Sequence, residues 1–235
     1  MNKECEKKID YSVNEIFRSI QGEGVYQGQP TIFVRFTGCN LRCSWCDTTY
    51  AYKEGNRTSL EELMESVRGR KDRNVCLTGG EPLLQEHIAK LTSSLLNDGY
   101  FVLLETNGSL DVDGFLEAID TIELYEIMRR KIVISLDVKT PSSGEFKSFL
   151  FDNLAILSPW DQLKFVVNDK SDIDYALLFV EKNDIRSSVI IQPSDRSDLD
   201  DMARLFLDAV WPQGLDIRFM AQLHKIIWGK DLKGV

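Results

Sequence analysis

Short apolar runs recur along this chain, and most of them end in a polar or glycine-containing loop. In Thr31-Ile32-Phe33-Val34-Arg35-Phe36-Thr37 the period is two. Ile32, Val34 and Phe36 fall on one face of a strand; Phe33, Arg35 and Thr37 fall on the other. Residues 74–78, 100–105, 131–137, 162–167 and 188–192 read as further strands, and 216–220 as a seventh. Between them the period lengthens to that of a helix. Ser59-Leu60-Glu61-Glu62 is a capping box, opening a helix to about Val67 with Leu60, Leu63, Met64 and Val67 on one face. Leu84, Ile88, Leu91 and Leu95 mark a second helix, which Asp98-Gly99 ends. Residues 114–119 predict a short third. Ser171 is expected to cap a helix carrying Ile173, Ala176, Leu177 and Val180. Ser197 is expected to cap another, with Leu199, Met202, Ala203, Phe206 and Val210. Residues 1–15 are polar and read as a lead-in.

Strands that alternate with helices predict βαβ units and a parallel sheet. Right-handed crossovers then put every strand C-terminus on one edge. A complete eight-unit barrel takes about 250 residues. At 235 residues the expected fold class is α/β. It is an incomplete TIM-type βα barrel of about six parallel strands plus extensions, in a single domain spanning 1–235. With 43% hydrophobic and 28% charged residues the chain can fill a core without staples. A net charge of −9 argues against broad contact with nucleic acid. No apolar run approaches the ~20 residues of a membrane span. The charged start, Met1-Asn2-Lys3-Glu4-Cys5, shows no secretory signal, so a cytoplasmic, reducing location is expected.

The chemistry concentrates after the first of these strands. Gly38-Cys39-Asn40-Leu41-Arg42-Cys43-Ser44-Trp45-Cys46-Asp47-Thr48 places three cysteines at C-x3-C-x2-C spacing on a loop. Soft thiolates this close suit zinc or an iron–sulfur cluster. Three thiolates on a four-iron cube leave one iron open to a small molecule. Zinc would need a fourth protein ligand, and Cys5, Cys76, His87 and His224 stand at no zinc-finger spacing. Arg35, projecting into the expected barrel interior, needs an anion. That anion is a protein group or a ligand. Gly79-Gly80-Glu81-Pro82, Thr106-Asn107-Gly108, Asp137-Val138-Lys139 and Gln192-Pro193-Ser194-Asp195 each follow a strand, so all converge on the rim where such barrels keep their active sites.

The cysteine triad and Gly79-Gly80-Glu81-Pro82 resemble the radical S-adenosylmethionine (SAM) superfamily. Ile20-Gln21-Gly22-Glu23-Gly24, Arg35 ahead of the first cysteine, Cys46-Asp47-Thr48, and Gln192-Pro193 with the His224-Lys225 tail are similar to the 7-carboxy-7-deazaguanine synthase family. That resemblance implies a radical SAM carbon–nitrogen lyase of 7-deazapurine biosynthesis. It would convert 6-carboxy-5,6,7,8-tetrahydropterin to 7-carboxy-7-deazaguanine with release of ammonia. It implies a 4Fe-4S cluster on Cys39, Cys43 and Cys46, and Mg²⁺ at Thr48. SAM would meet Trp45, Gly79, Gly80, Glu81, Gly108, Asp137, Val138, Lys139, Gln192, Pro193, Ser194 and Asp195. The pterin would meet Ile20, Gln21, Gly22, Arg35 and Thr106, and its carboxylate, rather than a protein one, is then the expected partner of Arg35. A homodimer and an external one-electron donor of flavodoxin or ferredoxin type are also implied. Some family members carry Ser-Pro-Lys where this chain has Asp137-Val138-Lys139. Two rival readings stand beside it: a glycyl-radical activating enzyme with a protein substrate, and a zinc-stabilised binding module without activity.

Overall fold

The computed structural model describes residues 9–122, 124–210, 216–229, 232 and 234. Among the described residues nine strands form one open sheet, in the order β3 (Asn56–Ser59), β1 (Asp10–Ile20), β2 (Pro30–Phe36), β4 (Asn74–Gly79), β5 (Phe101–Thr106), β6 (Ile132–Asp137), β7 (Gln162–Val167), β8 (Ser188–Pro193) and β9 (Ile217–Phe219). From β2 along that order to β9 every neighbouring pair is parallel. Six full strands and the short β9 match the expected partial barrel. Helices α1 (Leu60–Arg68), α2 (Ile88–Asn97), α3 (Val112–Glu117), α4 (Tyr125–Lys131), α5 (Lys170–Lys182) and α6 (Leu199–Val210) connect them. They cover the sheet's outer face, and the main core lies between. Ile32, Val34 and Phe36 join Leu77, Leu104, Ile134 and Phe165 there, all with no exposed surface.

The inner face is layered. Phe33, Cys76, Leu103 and Val133 form an apolar bottom, with Phe17 stacked on Phe33 at 5.0 Å. Two residues further along, the same strands present Arg35, Thr78, Glu105 and Ser135, so the next layer is polar.

Of the expected lead-in at 1–15, residues 1–8 lie outside the described ones, and residues 10–15 are strand, continuous with 16–20. Together they form β1, antiparallel to β2 and to the short β3. A bulge between Val13 and Glu15 breaks its alternation. Val13 pairs with Phe36 on the outer face, but past the bulge Glu15 and Phe17 lie opposite Arg35 and Phe33 on the inner one. The β1–β2 turn reaches across the opening to β7, where Gln162 Oε1 accepts the Val25 N–H at 2.8 Å.

The α1 capping box at Ser59 forms as expected. Two other caps are corrected. Asp169, not Ser171, caps α5 by accepting from Asp172 N at 3.1 Å. Asp198, not Ser197, accepts the Asp200 and Asp201 N–H groups at the start of α6. Leu84 belongs to the tight turn Pro82–Leu84 ahead of α2 and is exposed.

Candidate active site

The loops at the C-terminal ends of the parallel strands surround a cavity of about 220 Å³. Arg35, Thr78 and Glu105 line it from the polar layer. The Thr78 hydroxyl donates to Glu105 Oε2 at 2.8 Å, and the Gln21 side-chain amide donates to Glu105 Oε1 at 3.1 Å. Arg35 Nε donates to Glu15 Oε1 at 2.7 Å, and the Tyr50 hydroxyl donates to the same oxygen at 3.0 Å. A protein carboxylate therefore does face Arg35, which corrects the expectation that only substrate would. Glu15 takes one edge of the guanidinium; the terminal nitrogens make no hydrogen bond within the described residues.

The cysteine loop leaves β2 through Gly38, at φ +97°, and the end of β4 is packed against it. A Cβ on Gly80 would stand 1.9 Å from Gly38 O, so glycine is what lets the two segments touch. Glu81 N donates to Gly38 O at 2.7 Å. Cys39, Cys43 and Cys46 are free, half-buried and all on the cavity wall. Leu41 N–H and the Asn107 amide donate to Cys39 Sγ at 3.4 and 3.8 Å. Burial pushes the Cys43 thiol up to about 11, against the lowering field of Lys139. Such thiols ionise when a metal charge is present to hold the thiolates. Among the described residues no three Cys, His, Asp or Glu side chains close on a single point as around one ion. Three soft thiols on one cavity wall fit an iron–sulfur cluster.

A buried ionic network makes the opposite wall. Lys164 of β7 binds Glu23 from the β1–β2 turn and lies 3.3 Å from Asp137, which also pairs with Lys139 at 3.0 Å. Burial pushes the Glu23 carboxyl up, but Lys164, His224 and the Gln222 amide hold it well below the usual range. A C-terminal strap, Gln222 followed by α7 (Leu223–Trp228), crosses the mouth. Leu223 N donates to Gly22 O at 2.9 Å, and Gln222 Nε2 to Glu23 Oε1 at 2.7 Å. His224 packs where a Gly22 side chain would stand. Lys225 ties the strap to Asp47 on the cysteine loop and, at 2.6 Å, to Asp195 after β8.

The Radical SAM superfamily model matches residues 33–149. A 7-carboxy-7-deazaguanine synthase of Thermoplasma acidophilum is 40% identical over 223 residues, covering 95% of this chain and 99% of that protein. The chain belongs to the 7-carboxy-7-deazaguanine synthase family. A synthase of Koribacter versatilis is 38% identical over 237 residues, again covering 95% and 99%. The crystal structure of QueE from Escherichia coli shares the fold, with a TM-score of 0.72 at 24% identity over 92% of this chain and 95% of that one. As a member of this synthase family the chain is a radical SAM lyase of 7-deazapurine biosynthesis, with a four-iron cluster and SAM as cofactors. Among the described residues no helix is long and apolar enough to cross a membrane.

Most of the residues expected for a synthase site meet in the cavity. Ile20, Gln21, Gly22, Arg35 and Thr106 line it, as do Trp45, Thr48, Gly79 and Gly80. Asp137, Lys139, Gln192, Ser194 and Asp195 complete the set on the β6 and β8 side. The Gln192 amide is fully buried there, and neither its nitrogen nor its oxygen has a hydrogen-bond partner in the protein. An unspent amide on the wall fits a polar cofactor. Four expected residues are not on the wall. Glu81 is fully buried behind it, accepting from Leu83 N, Asn107 N and the Thr106 hydroxyl at 3.0, 2.7 and 2.8 Å. Val138 points into the outer core, and Pro193 ends β8 opposite Val167. Gly108, at φ +73°, makes room for the Phe149 ring, which a Cβ would approach to 2.8 Å.

Sequence reasoning did not assign site roles to Glu23, Glu105, Lys164, Gln222, His224 or Lys225, all of which line the cavity. The signal for two of them was present. Lys164 and Glu105 alternate with outward-facing apolar neighbours, in the same way as Arg35.

Proposed function

We propose that this chain converts 6-carboxy-5,6,7,8-tetrahydropterin to 7-carboxy-7-deazaguanine, with release of ammonia, in this cavity and within one radical SAM domain. The observation that carries the reading is the opening of the three-thiol loop and the Arg35–Glu105 floor onto one space. Cys39, Cys43 and Cys46 hold the cluster. Trp45, Gly79, Gly80, Asp137, Lys139, Gln192, Ser194 and Asp195 hold SAM, while Glu81, Gly108, Val138 and Pro193 shape the backbone behind it. Cluster and SAM, when bound, supply the abstraction of a hydrogen atom from the substrate. The chain's own residues position the reacting carbons and exclude solvent hydrogens. Ile20, Gln21, Gly22 and Thr106 hold the pterin, and the terminal nitrogens of Arg35 take its carboxylate. The strap across the mouth favours a small substrate over the protein substrate of a glycyl-radical activating enzyme, which needs an open rim. By resemblance to the family, the chain works as a homodimer in the cytoplasm and takes electrons from a flavodoxin- or ferredoxin-type donor.

The test is mass spectrometry of products from the anaerobically reconstituted protein given SAM, reductant, Mg²⁺ and the carboxylated pterin. Appearance of 7-carboxy-7-deazaguanine is expected. SAM cleavage without loss of ammonia from the pterin would overturn the substrate assignment.

Mg²⁺ is assigned to Thr48. Its hydroxyl donates to Asp47 Oδ1 at 2.7 Å, leaving oxygen lone pairs for a cation that takes few protein ligands. Thr48→Ala should weaken the activity response to Mg²⁺ while iron content and SAM affinity stay unchanged. A titration curve identical to wild type would leave Thr48 as a turn residue.

A further inference from the structure

Among the described residues five carboxylates line the cavity, and four of them are ion-paired to three lysines of the chain itself. Glu23 pairs with Lys164, Asp137 with Lys139, and Asp47 and Asp195 with Lys225. Glu105 makes no ion pair among the described residues; two neutral groups, Thr78 and Gln21, hold it instead. Its oxygens accept from Thr78 and Gln21, one each, and the Cys76 thiol beneath is a third neutral partner; an ionised carboxylate has about four acceptor sites. Glu105 therefore stands half-buried on the floor, fixed at both oxygens, with accepting capacity still to spare toward the cavity. Such a group suits a ligand offering two adjacent N–H donors, since paired hydrogen bonds to a carboxylate give both energy and orientation. A tetrahydropterin carries that pair on its pyrimidinone edge, as N3–H and the 2-amino group. Arg35 stands two strands away across β4, about 9–10 Å at the usual strand spacing. The substrate has its carboxylate at the end opposite its amino group.

We propose that Glu105 is the specificity-determining residue for the aminopyrimidinone edge, with the bicyclic ring lying between it and Arg35. Thr78 and Gln21 are its positioning residues. The proposal rests on the pterin reading of this cavity and adds the orientation of the ring within it.

The test is anaerobic binding to the cluster-loaded protein with SAM present. Two ligands are compared: 6-carboxy-5,6,7,8-tetrahydropterin and its 2-oxo counterpart, 6-carboxy-5,6,7,8-tetrahydrolumazine. Wild type should prefer the pterin by roughly 10- to 100-fold, the scale of a hydrogen bond to a charged group. Glu105→Gln should erase or invert that preference, because the glutamine amide offers a donor to the 2-oxo group. Glu105→Ala, which leaves no acceptor, should erase it as well. Iron content and melting of each variant confirm that the site is assembled. A preference retained in either variant overturns the proposal. So does equal weakening of both ligands, which would make Glu105 a support beneath the ring. Failure of the wild type to bind the pterin at all would instead count against the substrate assignment.

Discussion

Cys43→Ala should leave the reconstituted protein without a four-iron cluster and without turnover. Cys43 is the middle thiol of the loop, half-buried on the same cavity wall as Cys39 and Cys46. Three thiolates would give three of the irons a protein ligand each; removal of Cys43 would leave only two to hold the cluster. Since the cluster is the source of the reducing electron, the loss is of the whole rate enhancement, at least about 10⁶-fold for an ordinary enzyme. Cys76→Ala is the matched control. That thiol is fully buried beneath Gln21, outside the cavity wall, and burial together with Glu105 keeps its pKa well above the usual thiol value. A neutral, inaccessible thiol is no competing ligand, so Cys76→Ala should load iron as wild type does. Cys5, also expected to be dispensable, lies outside the described residues. Iron and sulfide analysis after anaerobic reconstitution checks both variants. Full iron retention in Cys43→Ala would remove Cys43 from the ligand set.

The parallel strands were legible because each is buried on both faces, or apolar on one face and chemically distinctive on the other. Alternation that exposed Arg35 as an inward-facing charge could be read from seven residues. What alternation could not show was β1. Its bulge shifts the inner face from the parity of Ser12 to that of Glu15 and Phe17, so the segment Asp10–Ile20 has no constant period to detect. The consequence reached the site. With β1 unseen, Glu15 had no place opposite Arg35, and the guanidinium seemed to need an external anion. The caps failed for a different reason. Ser171 lies within two residues of Asp169, and its hydroxyl donates to the Asp169 carboxylate at 2.7 Å instead of capping the helix. Among the rim motifs, glycine and acid signals proved ambiguous between ligand contact and close packing. Gly80 lets the cysteine loop touch β4, and Glu81 braces the Thr106-Asn107 turn, so both support the cavity whatever they touch within it. The strap residues carried no local pattern at all. Only the resemblance pointed to His224 and Lys225, because their partners Gly22, Asp47 and Asp195 are remote in sequence.

Lys164→Met should cost about 3–5 kcal/mol at neutral pH, the scale for removing one partner of a buried ion pair. In a chain of this size that corresponds to roughly 6–20 °C of melting temperature. Burial lowers the Lys164 pKa, but Asp137, Glu23 and Glu105 raise it well above its usual 10.5. Glu23 is held well below its usual 4.5. The two shifts set the window in which the pair stabilises the fold. The depressed Glu23 contributes stability that is present above 4.5 and is lost as the pH falls toward its folded pKa. The raised Lys164 contributes stability that is present below 10.5 and is lost only as the pH rises through its folded pKa. The pair therefore stabilises the protein fully at neutral pH, and wild type should weaken on acidification. In Lys164→Met, Asp137 keeps Lys139, but Glu23 loses its lysine and keeps only the Gln222 amide and His224 against its burial. With the largest lowering influence gone its pKa moves up, and protonation relieves the buried charge. The variant should consequently lose less stability on acidification than wild type, or gain some, so the two melting curves converge as the pH is lowered. Glu23→Gln/Lys164→Met removes both charges and should recover a large part of the loss at neutral pH, since the cost lies in the unpaired carboxylate. Anaerobic melting of the three cluster-loaded proteins across the acid-to-neutral range reads all of this. Parallel wild-type and Lys164→Met curves, with no recovery in the double variant, would mean that Lys164 acts by its packing between β6 and β8 and that the closure of the β1–β2 turn onto β7 does not depend on its charge.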